Sequence, residues 1–165
     1  MNNQFFQKTM GDFFVTAAEL NHMNILHGGV LVTKVDTAMG LFANSFSHTR
    51  TLTGRIDNLT FYKKSHVGDH IQFKVTLLRT TKMTMTIYSE IDHVSLDGST
   101  SEMIGEAVFT YVAVDSDLKP ISLNNQYVIN DESQKEYIEK IKNKFKIWIY
   151  NFNQSLRSFW NIFSK

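Results

Sequence analysis

Asn21, His27, Gly28, Gly29 and Asp36 fall within sixteen consecutive residues, and their types suit chemistry on an activated carbonyl. Two glycines at the start of a helix-like run let a substrate oxygen approach the backbone closely. The first amides of a helix have no partner inside it, and the helix dipole places partial positive charge at the same end. The Gly28 or Gly29 N–H is therefore a candidate oxyanion donor. Asp36 follows Val35 and precedes Ala38 and Met39, so it stands on a largely buried helix, where a carboxylate must be paired, neutralised or used. A used carboxylate is a general base for water or the nucleophile itself. Taken alone, Gly-Gly before a helix is more often a tight turn.

Spacing sharpens this reading. Eight residues of helix separate Gly28 from Asp36 by about 12 Å at a rise of 1.5 Å each, too far for both to act on one carbonyl carbon. If both act on one substrate atom, they come from two copies of the helix in an antiparallel homodimer, with two active sites at its interface.

Several elements must position these groups. From Gly28, Leu31, Val35, Ala38/Met39, Phe42 and Phe46 recur at helical steps, and the helix should end near "NSFSHTR". Residues 12–17 read as a short first strand and "ELNHMN" as a loop. Runs rich in Thr, Val, Ile, Phe and Tyr at about 50–62, 69–80, 83–95 and 102–115 read as four further strands, with Gly68 and Asp97-Gly98 in turns. One helix followed by four strands argues for an α+β fold: an antiparallel sheet wrapped around a central helix. Residues 131–163 turn helical again, with Ile138, Ile141, Phe145, Trp148, Phe152, Leu156, Phe159 and Phe163 at steps of three and four. Residues 126–165 hold seven Lys/Arg against four acids. The reading is a domain over 1–125 and an amphipathic helical extension over 126–165, either one long helix or two broken near Asn151–Asn153.

Composition excludes several functions. The absence of cysteine removes disulfides and thiolate nucleophiles, and is compatible with a reducing, cytoplasmic setting. The six histidines, at 22, 27, 48, 66, 70 and 93, are scattered, and no cysteine stands with them, which speaks against zinc. A net charge of +1 gives no case for nucleic acid. No apolar run reaches the roughly 18 to 20 residues of a membrane span, and the N-terminus lacks the basic and apolar regions of a signal peptide.

The segments Asn21-x6-Gly-Gly-x6-Asp36, "LTGRIDNLTFYKKSHVGD" and "EAVFTYVAVDSDLKP" resemble, in this order, the hotdog-fold acyl-CoA thioesterases, over about residues 10–121. The resemblance implies hydrolysis of acyl-CoA, with fatty acyl-CoA favoured by "FTYVAVD" followed by Lys-Pro. It implies Asp36 as the catalytic carboxylate, Gly28 as the amide that polarises the thioester carbonyl, and Asn21 as a loop side chain holding the water or the carbonyl. Gly29, His27 and Asn24 would line the substrate site, and Arg55, Lys63, Lys64 and Lys82 would meet the coenzyme A phosphates. No cofactor is implied, because coenzyme A is part of the substrate. Family members are homodimers with interfacial sites that commonly assemble into tetramers or hexamers. The chain departs from the family at Asn24, which replaces a glycine but tolerates left-handed backbone, at Lys64 in place of a proline, and at Arg79 and Lys82 in the coenzyme-contacting rim.

For several residues a bland role competes. His27 suits packing or hydrogen bonding better than base catalysis, and the bland role for Asn21 is to close its own Asx-turn. Asp57 is more simply a partner of Arg55, and Phe46, Phe61 and Phe73 are most simply core. The C-terminal helix has three readings: packing on its own domain or a neighbouring subunit, lying on an anionic membrane surface, or binding another protein. Other functions to weigh are a non-catalytic acyl-CoA-sensing module, a hotdog dehydratase using His27 with Asp36, and a scaffold dominated by the C-terminal helix.

Overall fold

The computed structural model describes residues 6–125, 127–129 and 131–145. Five strands, β1 (Lys8–Phe14), β2 (Arg50–Phe61), β3 (His70–Thr80), β4 (Thr84–Val94) and β5 (Ser101–Val114), form one antiparallel sheet in the order β1-β3-β4-β5-β2. The long helix α1 (Gly28–Ser47) lies in its concave face, and α2 (Glu132–Lys144) lies on the other. This is the helix-in-sheet arrangement that the sequence implies.

α1 forms where the apolar spacing demands it. Leu31, Val35, Ala38, Met39, Phe42, Ala43 and Phe46 are all buried against Phe73, Val75, Leu77, Ile87, Phe109 and Tyr111 of the sheet. Full burial of each large side chain contributes about 1.5–3 kcal/mol. The helix stops at His48, which takes the left-handed conformation (φ 54°) and donates its N–H to the Asn44 carbonyl at 2.9 Å.

β5 shows the sheet's two faces most clearly. Ala107, Phe109, Tyr111 and Ala113 point toward α1, whereas Val108 points to the outer face, where Ile138 and Ile141 of α2 pack with Leu78 and Tyr88. Gly105 permits a close approach of β2, since a Cβ there would lie 2.8 Å from the Thr60 carbonyl oxygen. β2 bulges at Gly54, between Thr53 and Arg55.

The first strand departs from expectation. It runs Lys8–Phe14 rather than 12–17, with a register shift around Gly11 (φ 145°), and Thr16 instead opens a short 3₁₀ turn at Ala17–Glu19. The C-terminal helix packs on its own domain. The rest of the expected extension, Trp148 to Phe163 with the break foreseen at Asn151–Asn153, lies outside the described residues. No helix among the described residues is long and apolar enough to cross a membrane.

Candidate active site

The loop before α1 is built by Asn21. Its side-chain carbonyl accepts the Met23 N–H at 2.8 Å and the Ile25 N–H at 3.4 Å, and its backbone N–H donates to Ile25. The tight return requires left-handed backbone at Asn24 (φ 57°). Asn24 thus shapes the loop. Asn21 closes an Asx-turn with Oδ1, which leaves its Nδ2 donors without a partner among the described residues.

The two glycines differ in a way the sequence does not reveal. His27 is the N-cap of α1, and its Nδ1 accepts the Gly29 N–H at 2.9 Å. That bond requires an unprotonated Nδ1, so the neutral ring carries its proton on Nε2. Gly29 is therefore occupied. The Gly28 N–H has no partner among the described residues, and Gly28 lines an open cleft of about 330 Å³ with Asn21, Leu31, Phe61, Tyr62, Lys63 and Lys64. Phe61 lies so close that a Cβ on Gly28 would meet its ring at 3.2 Å. Phe61 is 45% exposed, so it is a wall of this cleft and not core, whereas Phe46 and Phe73 are buried as expected.

The basic candidates divide. Lys63 and Lys64 share the cleft with Gly28 and Asn21; Lys63 pairs with Glu102, and Lys64 is exposed. Arg55 pairs with Asp57, the structural pair favoured by their spacing, and Asp57 also accepts the Thr110 hydroxyl at 2.6 Å. Lys82 sits in the β3–β4 turn, where its carbonyl accepts the Leu123 N–H at 2.8 Å. Within one subunit, Arg55 and Lys82 are therefore not part of the cleft that Lys63 and Lys64 line.

Asp36 stands elsewhere on α1, about 12 Å from Gly28 by helical rise, and faces β2 and β5. Its Oδ1 accepts the Thr53 hydroxyl at 2.7 Å and the Tyr111 hydroxyl at 2.7 Å; the Tyr111 hydroxyl also lies 2.9 Å from the Asp36 carbonyl oxygen. Burial first, and the neighbouring Asp36 second, push the Tyr111 phenol far above its ordinary range, so it stays protonated and acts as a donor. Sequence reasoning missed both partners. One signal for Tyr111 was present, because a hydroxyl on the core-facing side of a strand must find an acceptor.

A model of the thioesterase superfamily matches residues 23–95. The acyl-CoA thioester hydrolase YciA of Salmonella typhimurium is 32% identical over 111 residues, covering 62% of this chain and 80% of that protein. The crystal structure of a hexameric thioesterase from Yersinia pestis is 30% identical, with a TM-score of 0.67 over 72% of this chain and 96% of that one. An acyl-CoA hydrolase from Staphylococcus aureus, solved with butyryl coenzyme A, is 16% identical with a TM-score of 0.78 over 97% and 96% of the two chains. By architecture and by sequence, the chain belongs to the hotdog-fold thioesterases, in their acyl-CoA thioester hydrolase branch.

Proposed function

We propose that the protein hydrolyses acyl-CoA thioesters to a free acid and coenzyme A, in a homodimer whose two active sites each combine Asp36 of one subunit with the Gly28 amide of the other. The observation that carries this is the unequal treatment of the two glycine amides. Gly29 is capped by His27, while Gly28 is left open to a cleft that also holds Asn21 and two lysines. An unpaired amide at a helix N-terminus is a preorganised donor for an oxygen that gains charge.

In the base mechanism, water attacks the thioester carbonyl carbon as Asp36 takes its proton. The carbonyl π electrons move onto oxygen, where the Gly28 N–H holds them, with the Asn21 side chain in the same cleft. The intermediate then collapses, the C–S bond breaks with its electron pair on sulfur, and the proton held by Asp36 yields the thiol. In the nucleophilic variant, Asp36 attacks first, the thiolate leaves, and water hydrolyses the resulting anhydride. Both use the same residue. Lys64 and Lys63, which line the same cleft, would meet the coenzyme phosphates. No metal or redox group is needed, because the thioester is already activated.

The dimer rests on α1 itself, whose Asp36 and Gly28 cannot reach one atom from the same copy. Asp36 faces β2, the terminal strand of the sheet, so a second subunit approaching there could bring its own Gly28 to the carboxylate. Further assembly of dimers into hexamers would follow the Yersinia pestis neighbour, and a cytoplasmic location would agree with the lack of cysteine.

The test is thiol release from acyl-CoAs of graded length by the wild type and Asp36→Asn. Release that disappears in the variant while acyl-CoA still binds supports the proposal. Binding without release by the wild type would reassign the protein as an acyl-CoA-binding module. Undiminished release from Asp36→Asn would remove Asp36 from the chemistry.

A further inference from the structure

We propose that Tyr111 is a positioning residue for catalysis: its hydroxyl, with that of Thr53, occupies Oδ1 of Asp36 and so presents Oδ2 as the reacting oxygen. The inference rests on the reading of Asp36 as the base or nucleophile and goes one step further, to which atom acts and what aims it. Tyr111 is 1% exposed, and its ring lies against α1 one turn beyond Asp36, where a Cβ on Gly40 would sit 3.6 Å from its Cε1. From there the hydroxyl reaches both the carboxylate and the main-chain carbonyl of Asp36, at 2.7 and 2.9 Å. One contact fixes the side chain and the other fixes the helix that carries it.

Thr53 approaches from β2, where it is the direct cross-strand partner of Tyr111, and donates to the same Oδ1 at 2.7 Å. Two hydroxyl donors converge on one oxygen. Oδ2 has no hydrogen-bond partner among the described residues. A carboxylate held in this way has lost most of its rotational freedom, and only one lone-pair system remains for a water or a thioester carbon.

A purely structural role for Tyr111 is the competing explanation, since a buried phenol needs an acceptor wherever it is. That role would be satisfied by the Asp36 main-chain carbonyl alone and would leave the reaction untouched. The discriminating experiment measures kcat, KM and the pH dependence of kcat/KM for full-length Tyr111→Phe, Thr53→Val and the double variant, with Asp36→Asn beside them. Tyr111→Phe should lower kcat roughly 10- to 100-fold and leave KM within about twofold. It should also move the acid limb of the profile to higher pH, because a donor to the ionised carboxylate is gone. The double variant should lose less than the product of the two single losses, because both hydroxyls act on one oxygen.

If Tyr111→Phe does not fold, the exposed Thr53 still tests the aim of the carboxylate through the same shift of the acid limb. A wild-type kcat and unmoved acid limb in Tyr111→Phe would overturn the proposal. With Asp36→Asn inactive, that result would leave the hydrolase reading intact; with Asp36→Asn active, both would fall together.

Discussion

Replacing Lys144 by Met should destabilise the protein through a carboxylate that it never touches in sequence. Glu106 lies on the outer face of β5, 1% exposed beneath α2, and accepts hydrogen bonds from Lys144 Nζ at 2.5 Å and Tyr88 at 3.1 Å. Breaking a buried ion pair by removing one partner costs about 3–5 kcal/mol, because the remaining charge is stranded. Lys144 is itself 52% exposed, so water reaches the vacated position and screens the loss, which brings it to about 1–3 kcal/mol. At about 2–4 °C per kcal/mol for a chain of this size, thermal unfolding should shift down by roughly 2–12 °C. The assay is a thermal melt of the full chain at fixed concentration, since association would also stabilise it. Adding Glu106→Gln should restore most of the shift, because an amide still accepts from Tyr88 and carries no charge. Equal melting of the single and double variants would refute the reasoning and show that Glu106 is not held by Lys144.

Two further outcomes follow from local geometry. Gly105→Ala would push a methyl to 2.8 Å from the Thr60 carbonyl oxygen, a contact with backbone that β2 can relieve only by moving; urea unfolding should show a loss of about 1–3 kcal/mol. The same shift should raise KM for acyl-CoA, because Phe61, paired with Gly105, walls the cleft. In the β4–β5 turn, the Ser95 hydroxyl first, then the Ser99 N–H and hydroxyl, hold the Asp97 carboxyl down at about 2. Its folded value lies below its unfolded one, so the turn's stabilisation is present above about pH 4 and disappears as pH falls through about 2. An NMR titration of the Asp97 carboxyl carbon should place its midpoint there, and Ser95→Ala should move it upward.

Much of the molecule was legible because burial and periodicity coincide. α1 buries one face and β4 and β5 bury both, so their apolar residues mark their ends within a residue or two, while β2, which has no buried residue, is marked by its β-branched composition. β1 was misplaced because it is an edge strand with little buried surface and a bulge at Gly11, which removes the alternation a reader depends on. The cleft could be read in part. Asn21, Gly28, Lys63 and Lys64 meet there, but the choice of Gly28 over Gly29 depends on a histidine cap that only coordinates reveal. The partners of Asp36 were hidden by distance along the chain. Thr53 and Tyr111 are 17 and 75 positions away, and the β2–β5 register that brings them to one oxygen is a property of the assembled sheet.

The outer face carries the same lesson in reverse. Glu90 and Glu106 look in sequence like the solvated side of an amphipathic strand, yet both lie under α2, accepting hydrogen bonds from Tyr137 and from Lys144 and Tyr88. A helix that only covered apolar surface would need Ile138 and Ile141 and little else. The polar clamps fix its rotation and its register along the sheet. Lys144 also reaches the Tyr62 hydroxyl at 3.3 Å, and Tyr62 lines the cleft beside Gly28. The last turn of α2 is therefore coupled to the site by one hydrogen bond, from the same ammonium group that holds Glu106. It follows that Lys144→Met should act at both ends, on the melt through Glu106 and on substrate affinity through Tyr62. Glu106→Gln should repair the first effect and leave the second.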